Sequence, residues 1–395
     1  MHRLSSLTRG LLVCCLVAAL GACAAAPSKG PGSAQAAHQN HGFTSVQGSA
    51  DEWWNLAYPQ AFDAALLQRR QEWIRVQGKR FTRAEKSFIF RGVSIADPSK
   101  LTYDGKWNKG LFEEISRWGA NTIRIPIHPY AWRKHGRDWY FARLDEAVVW
   151  ANNLDMYLII DWHSMGNLRT EVYQHVMYET TQRETAEFWH ITAWRYKNVP
   201  TVAIYEIFNE PTHDYMGAGP HSLGWIDWET WRQMLEAYID LIRSNNKNAI
   251  PLVAGFNWGY DLTPVAAAPI RREGVAYAIH PYPQKAKPQS PTRENFFAAW
   301  EKTWGYVADT YPMIATELGW VKEDGYGAHQ PVIHNEGTYG PNIVEYMASK
   351  GISYTAWIFD PDWSPRMIDD WNYTPSEQGE FFRQEMLKAK AQEAK

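Results

Sequence analysis

The chain has 395 residues, a formal net charge of −3 and 14% aromatic residues, among them 21 Trp and 21 Tyr. Its charges are interspersed, so no basic stripe suits a nucleic acid and an anion-binding role has no support. All three cysteines, Cys14, Cys15 and Cys23, lie in the first 23 residues, so the remainder forms neither a disulfide nor a thiolate metal site.

The amino terminus reads as an export signal. Arg3 and Arg9 precede an apolar run, Leu11 to Leu20, too short to span a bilayer. Leu20-Gly21-Ala22-Cys23 resembles a bacterial lipobox, which makes residues 1–22 a signal peptide and Cys23 the acylated first residue. Ala24 follows the cysteine in place of the Asp that resembles an inner-membrane retention signal, so an outer-membrane lipoprotein is expected. Loss of Arg3 and Arg9 leaves a mature side-chain balance of −5. Residues 23–50 are rich in Ala, Gly, Ser, Gln and His without a hydrophobic period, and read as a flexible tether. One folded domain is expected over 51–395, as a monomer that meets the membrane only through its anchor.

Strands and helices then alternate. The apolar and β-branched runs 87–95, 121–127, 156–162, 201–211, 250–255, 275–282, 312–318 and 353–360 predict eight strands. Helices are predicted at 110–118, 143–153, 181–196, 225–244, 294–308 and 340–350, with a charged helix closing the chain. Eight such units argue for a closed (β/α)₈ barrel. An open doubly wound sheet is the alternative, but Ile95 is followed by Ala-Asp-Pro-Ser rather than a glycine-rich phosphate cradle.

Polar residues gather where these strands end: Arg124, His163, Asn209, Glu210, His280, Tyr282, Glu317 and Trp357. In a barrel those ends meet at one face. Glu210 and Glu317, from the fourth and seventh strands, would face each other across the mouth. Two opposed carboxylates suit glycosidic bond cleavage, one protonating the leaving oxygen and the other attacking the anomeric carbon or activating water.

In that order, Asn121-Thr-Ile-Arg-Ile-Pro126, Asp161-Trp-His163, Ile204-Tyr-Glu-Ile-Phe-Asn-Glu-Pro211, His280-Pro-Tyr282, Thr316-Glu-Leu-Gly319 and Ala356-Trp357 resemble the strand-end motifs of glycoside hydrolase family 5, which contains many cellulases. The resemblance spans roughly residues 80–365. It implies a retaining mechanism without a cofactor, on a β-linked polysaccharide or oligosaccharide. Glu210 matches the acid/base and Glu317 the nucleophile. Asn209 matches the group that bonds the sugar 2-hydroxyl, and Arg124 and Tyr282 those that contact the nucleophile. His163 and His280 match sugar-binding and acid/base-supporting positions, and Trp357 the platform under the sugar at the cleavage point. It places Trp258, Trp320 and Trp363 on loops over the cleft.

Strict strand alternation puts Glu206, Phe208 and Glu210 on one face and Asn209 on the other. Asn209 and Glu210 reach one site only if the strand end bulges or turns. Glu206 is expected to point into the barrel and pair with a cation such as Arg124, and Asp161 to act as a structural acceptor. Trp53 and Trp54 are expected to cap the bottom of the barrel. No metal is expected, since the first strand ends without His and no second ligand lies at helical spacing from His163 or His280. The reading is an endo-β-1,4-glucanase. A β-mannanase, a mixed-linkage glucanase, an envelope transglycosylase and a non-catalytic carbohydrate binder are the alternatives.

Overall fold

The computed structural model describes residues 57–213, 225–286, 288, 290–321 and 338–393. The segments expected as signal peptide and tether, with Cys23, and Trp53 and Trp54 lie outside the described residues. Eight parallel strands close into a barrel: β1 (Arg91–Ser94), β2 (Thr122–Ile127), β3 (Tyr157–Trp162), β4 (Val202–Glu206), β5 (Ile250–Ala254), β6 (Ala276–Ile279), β7 (Met313–Ala315) and β8 (Ser353–Ala356), with β8 pairing back to β1. The (β/α)₈ expectation holds. Helices Lys109–Arg117 (α1), Arg137–Asn153 (α2), Gln182–Arg195 (α3), Trp228–Asn245 (α4), Arg293–Thr303 (α5), Tyr339–Lys350 (α6) and Glu377–Glu393 (α7) cover the outside. Between β5 and β6 the connection carries only two short helical turns, Phe256–Gly259 and Thr263–Ala266.

Alternation along the strands sorts side chains into two layers. Ile123, Ile125 and Ile127 of β2 and Leu158, Ile160 and Trp162 of β3 pack outward under the helices. Tyr157 and Ile159 of β3, Ile204 of β4, Leu252 and Ala254 of β5, Ala276 and Ala278 of β6 and Ile314 of β7 fill the interior. Continuing the inward positions by the same period of two reaches Asp161 and His163, Glu206, His280 and Thr316. These residues are therefore the upper layers of the same column that makes the core, whereas Glu317, one position past Thr316, falls outside that period.

Two strand expectations are corrected. The run 87–95 divides: Lys86–Phe88 belongs to an antiparallel sheet with Ile74–Gln77 and Arg80–Arg83, and only Arg91–Ser94 enters the barrel. Ile74, Phe81 and Phe90 plug the bottom of the barrel, with Phe81 and Phe90 edge-to-face at 5.1 Å. The run 201–211 also divides. The β4 ladder ends at Glu206, and Glu210–Pro211 pairs separately with Met165–Gly166 in the loop after β3. That turn answers the alternation problem, because Asn209 and Glu210 no longer follow the strand period.

Glycine is required at two of these contacts. A Cβ on Gly92 would lie 1.9 Å from the Thr122 carbonyl oxygen, so only glycine lets β1 approach β2 there. Gly166 has φ +152° and a Cβ on it would lie 2.6 Å from the Val172 oxygen; this close loop is what Glu210 and Pro211 pair with.

Candidate active site

Every predicted strand-end residue except Arg124 lies just past its ladder rather than in it. Arg124 is the third residue of β2, fully buried, and reaches upward from within the barrel. Its guanidinium donates through Nε to Glu206 Oε2 at 2.6 Å, through Nη1 to Glu317 Oε1 at 3.0 Å and through Nη2 to Asn209 Oδ1 at 2.6 Å. Nη2 also lies 2.9 Å from Asp161 Oδ2. Burial opposes its charge, but Asp161, Glu206 and Glu317 outweigh that and hold its pKa above the ordinary arginine value. Glu206 pairs with an interior cation as expected, and Asp161, expected as a structural acceptor, meets the same guanidinium. Asp161 also holds His163, whose Nδ1 is 2.6 Å away.

Glu210 and Glu317 are 6% and 5% exposed. A carboxylate oxygen of each lies within 4.8 Å of the other and of a His280 ring nitrogen. Burial pushes both acids up to about 7. For Glu210 the charges of Lys285 and Arg124 oppose that rise, and for Glu317 those of His280 and Arg124 do. Their partners tell them apart. Glu317 accepts from Arg124 and, at 2.9 Å, from the Tyr282 hydroxyl, whose own pKa burial and the two glutamates drive well up. Two committed donors favour its anion. Glu210 meets His280 Nδ1 at 2.9 Å, a nitrogen that can accept a proton as readily as donate one. Burial lowers the His280 pKa to about 4 and that of His163 well below the ordinary value, so both rings are neutral near pH 7.

Asn209 accepts from Arg124 through Oδ1, and its buried Nδ2 has no partner among the described residues. Such a donor suits a ligand hydroxyl. Trp357 follows β8 directly rather than lying within it, is 6% exposed, and lies parallel to His163 with centroids 5.6 Å apart. It opens a cleft of about 560 Å³ also lined by Asp97, His128, Tyr130, Trp139 and Trp363. Neither glutamate lines that space; Trp357 lines it and stacks on His163. Trp258 sits on the His280 side, after β5, half-buried under the Lys285 ammonium 4.5 Å from its ring. Both Asn257 and Trp258 have positive φ, 56° and 55°. A tryptophan held there is strained, and such strain gathers at ligand sites. Trp320 is brought elsewhere: it packs on Phe381, Phe382 and Tyr339 in the core.

The sequence reading missed His128 and Tyr178. His128 directly follows β2, so the strand-end rule that found His163 applied to it. Its backbone nitrogen and Nδ1 face Asp97, and its buried Nε2 has no partner among the described residues. Tyr178 lies in the loop after β3, where no sequence pattern marks it. Its pKa is raised by burial and then by the charges of Glu210 and Glu317, which places its hydroxyl in their field.

Among the described residues, two groups of acids and histidine come close enough to hold a cation. In the first, Glu210, His280 and Glu317, both oxygens of Glu317 are already taken by Arg124 and Tyr282. A divalent ion would sit against the guanidinium, so this donor set does not fit a metal. In the second, Asp104, Asp360 and Asp362, the ammonium of Lys100 contacts all three at 2.7, 2.8 and 2.9 Å.

The family model for cellulases, glycosyl hydrolase family 5, matches residues 82–362. The chain belongs to glycosyl hydrolase family 5. It is 24% identical over 363 residues to an endoglucanase of Paenibacillus polymyxa, covering 79% of this chain and 86% of that one. It is 27% identical over 331 residues to endoglucanase C of Evansella cellulosilytica, covering 76% of this chain but only 38% of the relative. Among solved structures, a β-glucanase from Saccharophagus degradans in complex with cellotetraose shares 57% identity and a TM-score of 0.81, over 86% of this chain and all of that one. As a family 5 member the protein is a glycosyl hydrolase, and the site above lies inside the matched span.

Proposed function

We propose that the protein is a retaining, endo-acting β-1,4-glucanase, with Glu317 as nucleophile and Glu210 as acid/base. The observation that carries this reading is the approach of the two carboxylates to within 4.8 Å. Retaining glycosidases hold theirs about 5–5.5 Å apart, whereas inverting ones need about 6.5–9.5 Å to admit a water between them. Arg124 and Tyr282 support the ionised state that attack by Glu317 requires. Asn209 Nδ2 supports a contact to the sugar 2-hydroxyl, and Trp357 a stacking platform. In the first half, Glu317 attacks the anomeric carbon while Glu210 protonates the departing oxygen. In the second, Glu210 takes a proton from water, which displaces Glu317 with net retention. Similarity to endoglucanases and to a cellotetraose-bound β-glucanase supports a glucan substrate.

The test is reducing-end release by the soluble domain from carboxymethylcellulose, barley β-glucan, glucomannan, galactomannan and xylan, with Glu317→Gln as control. Release from the glucans, with early products retaining the β anomer by NMR, supports the reading. Release mainly from mannans moves the substrate and keeps the mechanism; an inverted anomer overturns the mechanism.

The amino-terminal pattern Leu20-Gly21-Ala22-Cys23 supports a lipid anchor on Cys23 at the outer membrane. Full-length protein expressed in a bacterium should incorporate labelled palmitate and partition into detergent. Cys23→Ser should abolish both; unchanged labelling of that variant refutes the anchor.

A further inference from the structure

A line of four hydrogen bonds runs beneath the two glutamates, from Arg124 to Glu210. Arg124 Nε donates to Glu206 Oε2 at 2.6 Å, and the Thr316 hydroxyl donates to Glu206 Oε1 at 2.8 Å. His280 Nε2 lies 3.0 Å from Thr316 Oγ1, and His280 Nδ1 lies 2.9 Å from Glu210 Oε1. Glu206, Thr316 and His280 are wholly buried, which shields these bonds from bulk water. A hydroxyl has one proton to give, and a carboxylate clamped by a guanidinium only accepts. Thr316 therefore gives its proton to Glu206 and accepts the Nε2–H of His280. The neutral ring carries one proton, so Nδ1 presents a lone pair to Glu210. Contact at 2.9 Å is then a hydrogen bond only while Glu210 is protonated.

We propose that Glu206 and Thr316 are positioning residues that fix the tautomer of His280 and thereby hold Glu210 as the protonated acid at the start of each turnover. The inference rests on the reading of Glu210 as acid/base. As a glycosidic oxygen arrives, the Glu210 O–H turns from Nδ1 onto it. The proton passes to that oxygen as the C1–O bond breaks, the bonding pair stays on the departing oxygen, and a Glu317 oxygen bonds C1. Glu210 is left as an anion facing a ring lone pair. That repulsion makes it a stronger base toward the incoming water, whose oxygen replaces Glu317 on C1 while its proton returns to Glu210.

The other charged or titratable groups that face Glu210 and His280 come from most of the barrel. Arg124 (β2) and Lys285 (after β6) favour the Glu210 anion, while Glu206 (β4) and Asp161 (β3) oppose it. Glu317 (after β7) acts on both. His163 lies close enough to His280, and Tyr178 to Glu210, to shift with them, and Tyr282 reports both glutamates. None of these contacts His280 Nε2, which is met by Thr316. Removing that hydroxyl therefore frees the ring to place its proton on Nδ1.

Thr316→Val keeps the side-chain shape and removes the hydroxyl. The alkaline limb of its kcat/KM profile on barley β-glucan should move about one unit to lower pH, because an Nδ1–H stabilises the Glu210 anion. Thr316→Ser should return the limb to its original place. Nitrogen-15 NMR of histidine-labelled wild-type protein should show His280 protonated at Nε2, with Thr316→Val gaining the Nδ1–H form. An unmoved limb in a folded Thr316→Val, or Nδ1–H in the wild type, overturns the proposal; the wild-type spectrum decides alone if the variant does not fold. Glu210→Gln tests the underlying reading separately. It should lose glucan hydrolysis while retaining cleavage of an aryl β-cellobioside with an acidic leaving group. If it does, and the Thr316→Val limb stays put, only the tautomer assignment fails. If Glu210→Gln still hydrolyses glucan, the acid/base assignment itself fails.

Discussion

Arg124 Nη1 lies 3.0 Å from Glu317 Oε1, and the same guanidinium holds Glu206, Asp161 and Asn209. One planar fork thus sets the charge of the proposed nucleophile, anchors the buried acids beneath it and aims the amide beside it. Arg124→Lys keeps a charge but cannot make all four contacts. The variant should lose about 3 kcal/mol of stability, because buried carboxylates are left without a partner. Its kcat should fall at least about 100-fold, a factor that corresponds to about 2.7 kcal/mol of lost transition-state stabilisation. Urea denaturation and initial rates on barley β-glucan check the two effects; a variant with wild-type rates would remove Arg124 from the mechanism.

Glu317→Gln removes the proposed nucleophile while keeping the acceptor geometry toward Tyr282. Turnover should fall about 10⁴-fold or more, with the fold and oligosaccharide binding retained. Tyr282→Phe leaves the Arg124 contact and removes one donor from the anion. A milder loss is expected, about 10- to 100-fold, consistent with one charge-assisted hydrogen bond. Circular dichroism, calorimetric binding of cellotetraose and initial rates separate these outcomes. Equal losses from the two substitutions would show that Tyr282 does more than hold the charge.

Much of this site was legible because the strand period continues past the ladders. The column Tyr157, Ile159, Asp161 and His163 alternates as any strand does, and so does Ala276, Ala278 and His280. What was not legible depended on where ladders stop. No local signal shows that β4 releases at Glu206 and that Glu210 pairs instead with Met165, because that partner lies 45 positions upstream and is set by tertiary packing. The split of the run 87–95 was hidden for a similar reason: Phe88 and Phe90 are equally suited to a strand, and only tertiary packing ends the outer sheet at Phe88 and starts the barrel strand at Arg91. His128 was available by the rule already in use. Tyr178 was not, since a loop tyrosine carries no period.

The aromatic surfaces on the two sides of the glutamates should respond differently. Trp357→Ala removes a buried stacking face beside His163, and kcat/KM should fall roughly 10- to 100-fold on every glucan. Trp258 is half-buried and tied to Lys285, so Trp258→Ala should raise KM for long substrates while sparing short ones. His128→Ala should likewise weaken binding, since it removes a buried nitrogen with no other partner among the described residues from the cleft beside Trp357. Rates across a series of cello-oligosaccharides check all three. Uniform losses in Trp258→Ala would mean that this ring supports the site by packing alone.

The raised acids also make a stability prediction whose sign can be worked out. Glu210 and Glu317 are pushed by burial to about 7 in the folded protein, against about 4.3 for an unfolded glutamate. The folded state therefore binds more protons than the unfolded state between those values, and stability falls as pH rises through that window. Below about pH 4 both states are protonated and the folded form keeps the full benefit; above about pH 7 both are ionised and it is lost. A single such group is worth on the order of 2–4 kcal/mol across the window. Glu210→Gln removes one of the two titrating groups without emptying its space. Its melting temperature should exceed that of the wild type at pH 8, with the gap closing by pH 5. The wild type should in turn gain from a bound oligosaccharide, which supplies partners for the ionised pair. Calorimetric melts at the two pH values decide the matter: a gap that is absent at pH 8, or larger at pH 5, would mean that Glu210 is not held up by burial and that its proton comes from another source.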